Sequence, residues 1–187
     1  MRPPNIFWSP RYARYSSRAS SFSRRNWPPP RLPNLRRVIL FLATGAGAGY
    51  IPRAPGTAGT LVAIPLSLLL NRVAGHSLAL ALLTLAAVIA VGFWSADNAE
   101  AIFGEKDSQK IVIDEIAGFM VANFAAPQSV STILAAFILF RFFDIIKPYP
   151  ARRAERMPGG VGVVMDDLVA GVYSLLVVRL AIAWGIL

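Results

Sequence analysis

The stretch GGVGVVMDDLVAG, residues 159–171, opens the last long apolar segment of the chain. Its glycines predict a tight turn, which delivers two adjacent carboxylates, Asp166 and Asp167, to the start of the apolar run. Adjacent acids at the edge of an apolar segment are costly to bury unless a cation or hydrogen bonds compensate them, which favours a metal site. Acids also favour helix N-termini, where they complement the helix dipole. The pair alone leaves both interpretations open.

The composition predicts a membrane protein. Of the 187 residues, 55% are hydrophobic, and the mean hydropathy is +0.52, which is too apolar for an ordinary soluble domain of this size. The chain has no cysteine, which excludes disulfides and thiolate chemistry. Its single histidine, His76, excludes a histidine-rich metal site and a paired-histidine phosphotransfer mechanism. Any chemistry must therefore come from carboxylates, hydroxyls and cationic side chains.

The net charge of +9 belongs to the first part of the chain. Residues 1–37 contain nine arginines and no acid, whereas residues 38–187 contain ten basic and ten acidic residues. We therefore predict a disordered basic leader rich in Arg, Ser and Pro over residues 1–37, followed by one helical membrane domain over residues 38–187. The leader is expected to lie on an anionic membrane surface. A nucleic-acid-binding arm and an organellar transit peptide are the alternatives, and nucleic acid is not the predicted partner.

The apolar runs of the domain predict an all-α fold, a compact membrane-associated helical bundle with about four to five apolar helices. Pro127 divides the longest uncharged run into two of these helices. The helix before Pro127 would be about 24 Å long, short of a hydrocarbon core of about 30 Å. Residues 45–60 are rich in glycine and proline and predict a structured loop, with residues 38–51 interfacial or re-entrant. The predicted helical segments are residues 61–70, 73–96, 111–126, 130–143 and 168–187.

Helix direction predicts that the acids meet on one face. Successive antiparallel helices alternate in direction, so the start of one helix, the end of the next and the start of the third lie on the same side. These three positions hold acids, and Asp97 and Glu100, placed after the end of an earlier helix, fall on that side too. Acids gathered from several helix ends repel each other unless a cation lies among them, and oxygen ligands alone favour Mg²⁺. The converging acids are Asp114, Glu115, Asp144, Asp166 and Asp167.

The same face holds groups that could receive a phosphate. Residues 55–60 form a glycine-rich turn opening a helix, where free backbone N–H groups and hydroxyls bind oxyanions. Enzymes that transfer phosphoryl groups use a metal, arginine or lysine side chains and a helix N-terminus to stabilise the phosphate charge. Alternatively, Arg141 and Lys147 form local salt bridges with Asp144. The candidate phosphate-binding residues are Arg53, Gly56, Thr57, Gly59, Thr60, Arg141 and Lys147.

Four motifs in order resemble those of the phosphatidylglycerophosphatase A family. They are PxAPGTxGT at residues 52–60, IDEIAG at 113–118, FRxFDxxKPxP at 140–150 and GGxGxxxDDxxAG at 159–171. The resemblance implies hydrolysis of the phosphate monoester of phosphatidylglycerophosphate to phosphatidylglycerol, with Mg²⁺, at the bacterial inner membrane. The five acids would then be the catalytic positions, accompanied by Arg141 and Lys147. The basic leader lies outside the family pattern.

The expected roles within the site follow from metal-activated hydrolysis. Glu115, Asp144, Asp166 and Asp167 are expected to hold Mg²⁺, and Asp114 to orient the attacking water. Two basic clusters lie on the acidic side, which the positive-inside rule makes cytoplasmic: Arg36 with Arg37, and Arg152, Arg153 and Arg156. The competing hypothesis is a small cation-binding membrane transporter, which would place its acids near mid-membrane rather than at helix ends.

Overall fold

The structure is a computed structural model that describes residues 32–187, so the predicted leader up to residue 31 lies outside the described residues. Within that range the chain forms seven α-helices and a short 3₁₀ turn, Ala48–Tyr50, and contains no strand, which confirms the all-α prediction. The helices are α1 (Pro33–Ala43), α2 (Pro55–His76), α3 (Leu78–Phe103), α4 (Ile113–Ala122), α5 (Val130–Ile146), α6 (Ala151–Ala154) and α7 (Gly160–Ala183).

Three of these helices, α2, α3 and α7, are long and apolar enough to span a membrane, with 22, 26 and 24 residues. Their outer faces expose large apolar side chains such as Leu61, Leu83 and Leu180, which suits contact with lipid. Helices α4 and α5 are apolar but shorter, with 10 and 17 residues. The bundle therefore has five apolar helices, within the predicted range.

Several predicted helix boundaries are wrong. The first helix begins at Pro33, inside the segment predicted as disordered leader. Residues 55–60, predicted as loop, are the first turns of α2, where Pro55 suits the start of a helix because its missing N–H has no helical partner there. The break between α2 and α3 falls at Ser77, whose side chain accepts a hydrogen bond from the Leu80 N–H. Helix α3 runs on to Phe103, so Asp97 and Glu100 lie inside it rather than after its end.

The short helix α4 is the centre of the bundle. Nine of its ten residues are buried, and it packs against α2, α3, α5 and α7. It ends at Ala122, four residues before the predicted end. At about 1.5 Å per residue α4 spans roughly 15 Å, about half the hydrocarbon thickness, so its C-terminal end lies inside the bundle.

Side chains from α2 and α7 satisfy the non-helical backbone that follows α4. Asn71 donates a hydrogen bond to the Asn123 carbonyl at 2.9 Å and accepts one from the Ala125 N–H at 2.8 Å. Arg179 donates to the carbonyls of Phe124 and Ala125, both at 2.9 Å. Irregular backbone inside a membrane bundle needs such internal partners, because lipid offers none. Arg179 therefore has a structural role, as a hydrogen-bond donor to this backbone.

Glycines let α4 and α7 touch. A Cβ built on Gly118 would lie 2.7 Å from the Asp167 carbonyl oxygen, and one on Gly171 would overlap the Gly118 carbonyl. Neither helix could approach so closely with larger residues at the crossing. This contact brings the start of α7 beside the start of α4.

Candidate active site

A cavity of about 850 Å³ opens where the start of α4, the end of α5 and the second turn of α7 meet. Helix direction alone predicted this meeting. Asp144 lies in the last turn of α5 rather than after its end, and Asp166 and Asp167 lie one turn inside α7. All five predicted acids line the cavity, together with Arg141 and Lys147: Asp114, Glu115, Asp144, Asp166 and Asp167.

The tightest acidic group consists of Asp114 and Glu115 from α4 and Asp167 from α7. One carboxylate oxygen from each of the three lies within 4.8 Å of the others. Asp114 is 9% exposed and Asp167 3% exposed. The sequence predicts that Asp114 orients water and does not hold the metal. In the structure Asp114 lies in one carboxylate group with Glu115 and Asp167, because Asp114 and Glu115 share the first turn of α4.

Within residues 32–187, no salt bridge pairs a cation with Asp114, Glu115 or Asp167. Burial raises the pKa of Asp114 well above its ordinary value, and the negative charges of Glu115 and Asp167 raise it further. Burial also raises the pKa of Glu115, although a hydrogen bond with Asp114 and the charge of Arg141 act in the opposite direction. In the part of the chain that the structure describes, three buried carboxylate oxygens have no hydrogen-bond partner: Asp114 Oδ1, Glu115 Oε2 and Asp166 Oδ1. Unpartnered oxygens of this kind fit a hard divalent cation, which takes oxygen ligands.

Two cationic side chains, Arg141 and Lys147, lie beside the three-carboxylate group. Arg141 Nη1 lies 2.8 Å from Asp144 Oδ2, which confirms the local salt bridge considered for that pair. Lys147 Nζ lies 2.7 Å from Asp166 Oδ2, not against Asp144 as that alternative required. Lys147 caps α5 in the left-handed backbone region, with φ of 48°, so the chain leaves the helix axis and the side chain meets α7. Burial is the largest single influence and lowers the pKa of Lys147, but the hydrogen bond to Asp166 and the negative charges of Asp166, Glu155 and Asp167 together outweigh it and raise the pKa.

Only part of the predicted phosphate-binding group lines the cavity. Gly56 does, and a Cβ there would overlap the Glu115 carboxylate and lie 3.1 Å from Arg141 Nη1. Gly59 instead packs against Val112, and the Thr60 hydroxyl donates to the Gly56 carbonyl at 2.9 Å. Arg53 and Thr57 are outside the cavity wall. The helical start at Pro55 explains this division, because successive residues of a helix face different directions.

The glycines before the acidic pair serve helix contact. Asp97 Oδ1 accepts a hydrogen bond from the Gly160 N–H at 3.1 Å and so partners the start of α7. A Cβ on Gly160 would lie 2.6 Å from the Phe93 carbonyl oxygen, so this position brings α7 against α3. Sequence reasoning gave Asp97 no role in the site. The available signal was its position as an acid within an apolar helix.

Glu155 is a second residue that sequence reasoning missed. It follows α6, lines the cavity and places its Oε1 3.4 Å from Lys147 Nζ. No motif marked it, because its contact depends on how the segment after α5 folds back toward α7.

The raised pKa of Asp114 predicts how stability changes with pH in the absence of a divalent cation. An acid whose pKa is higher in the folded state opposes folding once it ionises. Stability should therefore fall as pH rises from the ordinary value of 3.8 through the raised pKa. Thermal unfolding in detergent with chelator should show this decline as a falling unfolding temperature. At neutral pH, added Mg²⁺ should make the loss of stability smaller. An unfolding temperature that rises with pH over this window under chelator would contradict the prediction.

The chain matches known proteins over most of its described length. The sequence profile of the family described as Phosphatidylglycerophosphatase A matches residues 41–182. A Bacteroides thetaiotaomicron protein with the provisional name phosphatidylinositol-3-phosphatase is 40% identical over 153 residues, which cover 76% of this chain and 92% of that protein. Phosphatidylglycerophosphatase A of Haemophilus influenzae is 38% identical over 147 residues, covering 78% and 89%. That of Escherichia coli is 35% identical over 135 residues, covering 71% and 77%. No solved structure is a significant match.

These similarities and the acid-lined cavity of a membrane-type helical bundle define the class, a phosphoric monoester hydrolase. The extent of the match then gives the family. The chain belongs to the phosphatidylglycerophosphatase A family.

Proposed function

We propose that the protein hydrolyses the phosphate monoester of phosphatidylglycerophosphate, giving phosphatidylglycerol and inorganic phosphate, with Mg²⁺ as its cofactor. The observation that carries this proposal is one cavity that combines two features. Some of its buried carboxylate oxygens have no hydrogen-bond partner within residues 32–187, and Lys147 and Arg141 line the same cavity. The carboxylates offer a cation site, and the two cationic side chains offer partners for phosphate oxygens. The relatives from Haemophilus influenzae and Escherichia coli are named for this activity.

The residues that would hold Mg²⁺ are Glu115 and Asp167 of the three-carboxylate group together with Asp166 and Asp144. When bound, the ion polarises a phosphate oxygen and lowers the pKa of water. Lys147 and Arg141 hold the remaining phosphate oxygens and neutralise charge that develops on them. Of the turn that opens α2, Gly56 leaves room for the Glu115 carboxylate and the Arg141 guanidinium at the cavity wall.

Asp114, the third member of the carboxylate group, accepts a proton from the attacking water. The water oxygen forms a bond to phosphorus, and the bond from phosphorus to the glycerol oxygen breaks. The glycerol oxygen leaves as a hydroxyl after it takes a proton from water in the cavity.

We place the protein in the bacterial inner membrane with the cavity on the cytoplasmic face. The exposed Arg36 and Arg37 of α1 lie beside the exposed apolar Val38 and Phe41, a pattern suited to the headgroup level of an anionic membrane. Because the chain has no cysteine, single cysteines can report its orientation. In intact cells a membrane-impermeant maleimide should label His76→Cys and leave Gln109→Cys, at the cavity, unlabelled. The reverse pattern would refute the cytoplasmic placement.

The activity is tested with the full chain in detergent and phosphatidylglycerophosphate as substrate. Inorganic phosphate should be released with Mg²⁺, and release should stop with chelator. Phosphatidylinositol-3-phosphate, the substrate in the name of the Bacteroides relative, is the comparison lipid. Mg²⁺ flux into liposomes without hydrolysis of either lipid would support the transporter instead and overturn the proposal.

A further inference from the structure

Lys147 is shared between two carboxylates that differ in burial and distance. Its Nζ lies 2.7 Å from Asp166 Oδ2 and 3.4 Å from Glu155 Oε1. The Asp166 side chain is 7% exposed, whereas the Glu155 side chain is 44% exposed. All three residues line the cavity. The ammonium therefore has a short, buried contact on its inner side and a longer, solvated contact on its outer side.

A phosphate that enters the cavity needs a donor from Lys147, and the two existing contacts differ in what their loss would cost. Loss of the Asp166 contact would leave a buried carboxylate without its partner, which is strongly unfavourable. Loss of the Glu155 contact returns a half-exposed carboxylate to water, at little cost. The Glu155 contact is therefore the one that phosphate replaces.

We propose that Glu155 is a positioning residue that competes with phosphate for Lys147 and thereby weakens the binding of both the substrate phosphate and the phosphate product. With Glu155 in place, Lys147 returns to a carboxylate partner when inorganic phosphate leaves, which favours product release. The effect on lipid turnover rests on the proposed function. The effect on inorganic phosphate does not, because phosphate binding can be measured without turnover.

The test measures the Kd of inorganic phosphate by calorimetry, with the full chain in detergent and Mg²⁺ present. Glu155→Gln should lower this Kd about three- to fivefold, the effect of losing one partly exposed ionic competitor. Glu155→Ala should do the same, which guards against a specific effect of the amide. Glu105→Gln is the matched control, because Glu105 is exposed and lies outside this cavity, and it should leave the Kd unchanged. With lipid substrate, Glu155→Gln should lower KM without raising kcat.

Whether Glu155 acts through Lys147 is tested in a variant that lacks the Lys147 ammonium. When Lys147→Gln is already present, adding Glu155→Gln should no longer strengthen phosphate binding. An equal gain in that background would show general charge repulsion and overturn the proposal, as would an unchanged or higher Kd in the single variant. If the phosphate pattern holds but no lipid phosphate is hydrolysed, the proposed function fails and the competition at Lys147 stands.

Discussion

Asp167→Asn is expected to lower the rate of phosphate release about 10³-fold or more, a loss of roughly 4 kcal/mol of transition-state stabilisation. Asp167 is the carboxylate that α7 contributes to the group with Asp114 and Glu115. Asparagine keeps the size of the side chain but removes the charge that a divalent cation requires. The measurement is kcat at saturating Mg²⁺ with purified protein in detergent.

The same substitution should have the opposite effect on stability in the absence of a cation. The three acids repel each other, so removing one charge should leave the unfolding temperature under chelator equal to or above that of the unchanged protein. The control is Asp107→Asn, the same chemical change at an exposed residue that lines the cavity outside the three-carboxylate group. It should keep kcat within about threefold. Activity of Asp167→Asn within tenfold of the unchanged protein would remove Asp167 from the metal site.

The gathering of the acids could be predicted because it depends only on helix order and direction. The start of α5 at Val130 could also be predicted, since Pro127 cannot lie inside a continuous helix and Ser129 caps the new helix by accepting a hydrogen bond from the Thr132 N–H. The second inference uses signals within a few residues of the helix start, and the first needs only the number and order of the helices.

The missed features depend on partners that are distant in sequence. The chain after α4 takes its irregular course because Asn71 and Arg179, each more than 50 residues away, satisfy its backbone. The link between Asp97 and Gly160 likewise joins residues 63 positions apart. The choice of Asp166 rather than Asp144 as the partner of Lys147 depends on one left-handed residue at the end of α5. Local sequence patterns hold none of this information.

These contacts give the stretch GGVGVVMDDLVAG, residues 159–171, a more specific role. Its first glycines fit α7 against α3, and its last glycine fits α7 against α4. The two acids between these glycines have different contacts. Asp167 belongs to the three-carboxylate group, and Asp166 binds Lys147. Backbone contact of α7 with α3 and α4 therefore sets the position of the carboxylates. A substitution at one of the contact glycines should alter the site, although glycine itself has no chemical function there.

Gly118→Ala provides that test and is expected to lower the free energy of unfolding by about 2 kcal/mol. The added Cβ would lie 2.7 Å from the Asp167 carbonyl oxygen and 2.7 Å from the Phe140 ring. Because one of these neighbours is backbone, α4 and α7 must move apart. Since this movement separates Asp167 from Asp114 and Glu115, Mg²⁺ affinity should fall together with stability.

The matched control is Gly92→Ala in α3, where the nearest atom to the added Cβ is 3.8 Å away. Alanine there makes ordinary contacts and avoids the entropy cost of glycine in a helix, about 1 kcal/mol, so stability should be unchanged or higher. Chemical unfolding followed by circular dichroism and Mg²⁺ calorimetry in detergent measure both quantities. If Gly118→Ala and Gly92→Ala behave alike, helix contact at Gly118 does not set the geometry of the carboxylates. If only Gly118→Ala loses stability and Mg²⁺ binding together, the α4–α7 contact sets that geometry, because neither substitution touches a charged group.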